Sequence, residues 1–171
     1  ADDATTNVTV PTNAEFIEAA IELSSILRLA KIEAPLRPKV IGAIVLAMYQ
    51  GEIDVSDGNE LSCINQLIHD AINESVDLAT PKKNRLEDAL RLTGNDYERL
   101  SGKIVRIVSL LKRLNIRSVL QTDTDFLGLF YEAFLRYGYD NNALGIVFTP
   151  RHITKFCVNL VDARISDRII D

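Results

Sequence analysis

The 171-residue chain is poor in the residue types that define the special classes of protein. It holds two cysteines, Cys63 and Cys157, too few for a disulfide-stapled miniprotein. Eight glycines and five prolines exclude collagen and low-complexity disorder, as does an ordinary 47% of hydrophobic residues. No apolar run approaches the roughly 20 residues that a membrane-spanning helix needs. The longest apolar-rich stretch, Val40 to Tyr49, is half that and contains Gly42. Positive charge is also short: the formal net charge is −5, so the domain as a whole offers no broad attraction for nucleic acid. Two cysteines and two histidines make a poor zinc set, and the expectation for metal is none. Both cysteines lie in apolar, helix-patterned segments and read as buried thiols in a reducing cytoplasm, in preference to a single disulfide.

What the chain has instead is helical periodicity. Residues 1–11 are polar and Thr-rich and read as a loose arm. Thr12 and Glu15 form a capping-box pattern that opens a helix to about Lys31, with Phe16, Ala20, Leu23, Leu27 and Ala30 as one apolar seam. Pro38 suits the first turn of a second helix to Tyr49, whose Val40, Ile41, Ile44, Val45, Ala47 and Met48 cover nearly all sides. That helix should be central. Leu61, Ile64, Ile68, Ala71 and Ile72 share a face of a third helix. Pro81-Lys82-Lys83-Asn84 reads as a break, followed by a short helix from Arg85 to Leu92 that ends at Gly94. One amphipathic helix is predicted from Asp96 to Asn115, on Leu100, Ile104, Ile107, Leu111 and Leu114. Phe126, Phe130, Ala133, Phe134 and Tyr137 form a further core face. Thr149 at an N-cap with Pro150 at the first helical position starts a last helix carrying Ile153, Phe156, Cys157 and Leu160. Arg168 to Asp171 looks like a strand just beginning.

Several motifs that suggest chemistry fail on inspection. Asp54, Asp57, Asn59 and Glu60 invite calcium, but aligning Gly58 with the invariant EF-hand glycine puts Ile53 and Val55 where carboxylates are required. A solvated, helix-capping turn is the better account. Gly102-Lys103 is no phosphate loop, because position 97 is Tyr97 and Ile104 follows the lysine. His69 and His152 read as structural. Lys103, Arg106 and Arg113 line one flank of their helix, as a solvated face first and a phosphate contact second. Asn7-Val8-Thr9 and Asn73-Glu74-Ser75 match the glycosylation triplet with nothing else to suggest secretion. The junction at Thr149 does offer chemistry: a helix start presents unpaired N–H groups and partial positive charge, suited to a carboxylate or phosphate, with Arg151 nearby.

Three segments carry a resemblance. Asp125-Phe126-Leu127-Gly128-Leu129-Phe130-Tyr131-Glu132, then Gly145-Ile146-Val147-Phe148-Thr149-Pro150-Arg151-His152-Ile153, then Ile169-Ile170-Asp171, resemble the adenine-specific DNA methyltransferases. The likeness is to the modification subunits of type I restriction-modification systems and the related fused restriction-methylation enzymes. It implies an all-α, multi-helix bundle followed by the first strand of a Rossmann-like methyltransferase domain. The division implied is a flexible arm over 1–11, a helical domain over 12–147, and the start of the S-adenosylmethionine-dependent domain over 148–171. Phe148, Thr149 and Pro150 fall on the element that lies against the methionine moiety of that cofactor. Asp171 falls on the residue that opens the Asp-Pro-x-x-Gly-x-Gly cofactor turn, at the carboxyl end of a first strand. That turn and the Asn-Pro-Pro-Tyr catalytic element would lie beyond Asp171, so the chain itself would hold no catalytic residue and would be inactive alone. Without an initiator methionine, and with apolar Ile169-Ile170 at its end, the chain reads as a piece of a longer polypeptide. Implied partners are double-stranded DNA and a specificity subunit or fused specificity domain, in the cytoplasm, with no membrane. The rival reading is a non-catalytic α-helical interaction module whose Thr-Pro element is only a cap.

Overall fold

A computed structural model of the protein describes residues 11–56, 58–116, 128, 131–134, 149–162 and 167–168. Among these residues the chain is a multi-helix bundle without a strand: α1 (Asn13–Leu29), a 3-10 turn (Ala34–Leu36), α2 (Arg37–Gln50), α3 (Glu60–Glu74), α4 (Thr80–Leu90), α5 (Gly94–Leu100), α6 (Ile104–Arg113) and α7 (Arg151–Val161). No described helix is long and apolar enough to cross a membrane. The anticipated strand at Ile169-Ile170-Asp171 lies outside the described residues, as do most of residues 1–11 and most of the aromatic helix before Tyr137. Of that helix, Ala133 and Phe134 are buried.

The first capping box forms as the pattern requires. Glu15 N–H donates to Thr12 Oγ1 at 3.3 Å, and Thr12 N–H donates back to Glu15 Oε2 at 2.7 Å. The helix ends in a left-handed residue: Lys31 has φ 56°, its N–H reaches Arg28 C=O, and Ile32 N–H reaches Leu27 C=O at 3.0 Å. These paired bonds make a Schellman ending, with Ile32 buried in the core behind it. All five residues of the anticipated α1 seam are buried.

Helix α2 is central for the reason its sequence gives, since it is apolar on nearly every side. Val40, Ile41, Ile44, Val45, Ala47 and Met48 are all buried, and α2 packs against α3, α4 and the 3-10 turn, while α1 packs against α6. From α3 the core takes Ile64, Ile68 and Ile72; Leu61 packs at its margin.

Three boundaries differ from the sequence reading. Pro81 does not break a helix but sits in the first turn of α4, where its missing N–H has no intrahelical partner to lose. Gly94 opens α5 instead of ending α4, because Thr93 caps α5 through a second capping box with Asp96. The single helix anticipated from Asp96 to Asn115 is two helices, parted at Ser101-Gly102-Lys103 where Gly102 turns left-handed at φ 68°. The seam survives the break: Leu100, Ile104, Ile107, Leu111 and Leu114 are all buried.

Candidate functional site

Helix α7 begins one residue later than the Thr-Pro pattern suggests. Pro150 is the flanking residue (φ −54°, ψ 136°), and its C=O accepts the N–H groups of Ile153 at 2.9 Å and Thr154 at 3.2 Å. No side chain caps this helix, so Thr149 is not the N-cap. The residue before a proline is held extended, and Thr149 stands there, exposed. With the third and fourth N–H groups taken by Pro150, those of Arg151 and His152 have no intrahelical acceptor. The first turn holds no acidic residue to fill that place. The arrangement can accept one small anion at the helix start. Of the residues picked from the sequence, Thr149 and Pro150 are adjacent and exposed there, whereas Phe148 and Asp171 lie outside the described residues.

The same helix corrects the reading of the cysteines. Cys157 is exposed on α7, beside Ile153 (42% exposed), Phe156 (62%) and Leu160 (68%), so the apolar face of α7 is uncovered. Cys63 is half-buried. Its sulfur accepts the Asp54 N–H at 3.4 Å and faces Glu52 C=O, tying the acidic turn to α3.

Elsewhere the polar clusters are occupied by each other. Asp54 Oδ1 takes both the N–H and the hydroxyl of Ser56, bonds that hold its carboxyl below the ordinary aspartate value. Asn59 flanks α3 without a side-chain cap, so the capping role anticipated for this turn is not filled by Asn59. Arg106 and Arg113 both reach one carboxylate on α1, Glu22, at 2.8 and 3.4 Å. Two members of the basic flank are thus a clamp between α6 and α1. His69 joins α3 to α4: its Nδ1 lies 3.0 Å from Glu87 Oε1 and its Nε2 lies 2.9 Å from Asn73 Nδ2. His69 and Glu87 edge a polar groove of about 290 Å³ with Ser62, Asn65 and Arg91. The His69–Glu87 contact and the Thr93 cap escape the sequence reading, although the Thr93-x-x-Asp96 spacing carries the signal for the cap. Among the described residues no three His, Cys, Asp or Glu side chains could together hold a metal ion.

Against known proteins, a segment of 51 residues is 51% identical to the type II restriction enzyme and methyltransferase RM.BcgI of Heyndrickxia coagulans. The segment is 29% of this chain and only 8% of that protein. No family profile and no solved structure matches. Over that segment the chain is related to a restriction-modification methyltransferase.

Proposed function

We propose that this chain is the helical amino-terminal portion of an S-adenosylmethionine-dependent DNA adenine-N6 methyltransferase of a restriction-modification system. The observation that carries the reading is the 51-residue match to a restriction enzyme and methyltransferase. In this reading residues 12–147 form the helical domain and 148–171 begin the catalytic domain. Two features of α7 support that division. Its apolar face is uncovered, as a helix awaiting a further packing layer would present it. Its start is free of acid and offers the N–H groups of Arg151 and His152, which fit the carboxylate of an amino-acid cofactor.

Thr149 and Pro150 would form one wall of the cofactor pocket with Phe148, and Asp171 would open the Gly-rich cofactor turn. When bound, the cofactor supplies the methyl group. This chain's residues orient its amino-acid end; they touch no reacting atom. The target adenine would be flipped from the duplex and held by groups outside this chain. Duplex DNA and a specificity subunit or fused specificity domain are the partners of this reading, and the cytoplasm its compartment.

The test is methyl transfer by the complete enzyme carrying this chain, with radiolabelled S-adenosylmethionine and duplex DNA, followed by nucleoside analysis. Label in N6-methyladenine is expected, and none with the 171-residue chain alone. Label in cytosine, or none in DNA, overturns the reading in favour of another methyltransferase or a non-catalytic interaction module.

A further inference from the structure

Helix α4 lies against α2 and α3 at the margin of the bundle. None of its side chains is buried, and polar bonds help to hold it. Lys83 Nζ donates to Asn73 C=O at 2.7 Å, and Glu87 meets His69. With Leu90 these residues, four and three apart, form the side that turns toward α3. The opposite side carries Lys82, Arg85, Asp88 and Ala89, all exposed, two cations to one acid. Residues 79–86 contain no Asp or Glu, although the chain carries a net charge of −5.

Charges on α6 are treated differently. Arg106 and Arg113 share one carboxylate, Glu22, and Lys112 pairs with Glu52 at 3.0 Å. Among the described residues neither Lys82 nor Arg85 has a carboxylate partner, and Asp88, one turn from Arg85, does not pair with it. Cations in the first turns also oppose the helix dipole, so helix stability does not explain them. Beside Ala89 the face has one large apolar residue, Leu86 at 39% exposed, and no aromatic, too little to anchor in a lipid interface.

We propose that the outer face of α4 contacts the phosphate backbone of duplex DNA, with Lys82 and Arg85 as the phosphate-binding cations. The choice of DNA rests on the methyltransferase reading. The contact positions the protein on the duplex without reading sequence.

The experiment is fluorescence anisotropy of the 171-residue chain on a labelled duplex of about 30 base pairs across a salt series. Wild type should bind with a salt dependence that K82A/R85A lowers by about two units of log–log slope, equally on unrelated sequences. R106A/R113A, whose cations already hold Glu22, should keep the wild-type slope, and melting curves should show all three proteins folded. An unchanged slope in K82A/R85A, or no duplex binding by wild type, overturns the proposal and leaves the methyl-transfer assay untouched. Binding to phosphatidylserine vesicles as tight as to duplex, with the same loss in K82A/R85A, overturns it in favour of a lipid surface. Failure of methyl transfer with DNA binding intact would overturn only the enzymatic reading.

Discussion

Asn65 on α3 grips the main chain of Leu92 from both sides: its Oδ1 accepts the Leu92 N–H at 3.0 Å, and its Nδ2 donates to the Leu92 C=O at 2.9 Å. One amide side chain thereby satisfies both polar groups of a residue whose own side chain is buried in the core. The link fixes the segment between α4 and α5, where no helical ladder is available to do so. We predict that Asn65→Ala destabilises the fold by about 1–3 kcal/mol, because two part-buried groups lose their partners together. Urea denaturation of the two proteins measures it. A change under half a kilocalorie, within the range of ordinary surface substitutions, would show that water replaces the amide freely.

A second prediction concerns acid. The Thr12 N–H, and secondarily its hydroxyl, donate to the Glu15 carboxylate and hold its pKa below the ordinary glutamate value. A carboxyl whose folded pKa is depressed stabilises above its unfolded value, about 4.3, and loses that contribution as pH falls through the folded value. The stability difference between wild type and Glu15→Gln should therefore be present at neutral pH and close as pH falls below about 4. Denaturant midpoints across pH 3 to 7 read this directly. A pH-independent difference would mean that the carboxylate charge is irrelevant to the cap.

The limits of the sequence reading have physical causes. Burial is legible because apolar periodicity sums over many residues: the α1 seam and the all-round apolar α2 need no knowledge of neighbours. The same summation hides the break at Gly102. Leu100 and Ile104 are four residues apart whether the chain between them is helix or turn, so the seam reads as continuous. Pro81 and Gly94 read as stops because each ends a helix when approached from one side. Both begin helices here, and Thr93, one residue earlier, is the sign for Gly94. For the candidate site, the helix start near Thr149 is legible, but the residue that flanks it is not. A threonine before a proline carries two signals at once, and the extended conformation of that position moves the boundary to Pro150. Cys157 reads as buried because helical spacing marks an apolar face without saying what covers it.

Two glycines should respond in opposite directions. Gly102 has open space where a β-carbon would stand but a φ of +68°, so Gly102→Ala should cost about 1 kcal/mol through backbone strain alone. Gly94 also has open space, with no positive φ, at the first position of α5. Gly94→Ala should stabilise by about 0.4–1 kcal/mol, chiefly by restricting the unfolded chain. Melting temperatures of the two variants should thus lie on either side of wild type. If both fall, the start of α5 needs glycine for a reason other than backbone freedom.

The last prediction separates a cap from a ligand contact at Thr149. Its hydroxyl caps nothing, since Pro150 and not Thr149 flanks α7. Thr149 is also exposed, so replacing its hydroxyl with a methyl should leave stability within about 0.5 kcal/mol. In the complete enzyme the proposed place of Thr149 beside the methionine carboxylate gives the hydroxyl another task. Loss of one hydrogen bond to a charged group weakens binding by about 1.5–3 kcal/mol, roughly tenfold to a hundredfold in Kd. Thr149→Val should therefore raise the Kd for S-adenosylmethionine at least tenfold while its melting curve overlays that of wild type. Calorimetric titration beside thermal melts gives both numbers from one preparation. Unchanged affinity would remove Thr149 from the cofactor site. A lowered melting temperature with unchanged affinity would assign the hydroxyl to the stability of the fold and not to the cofactor.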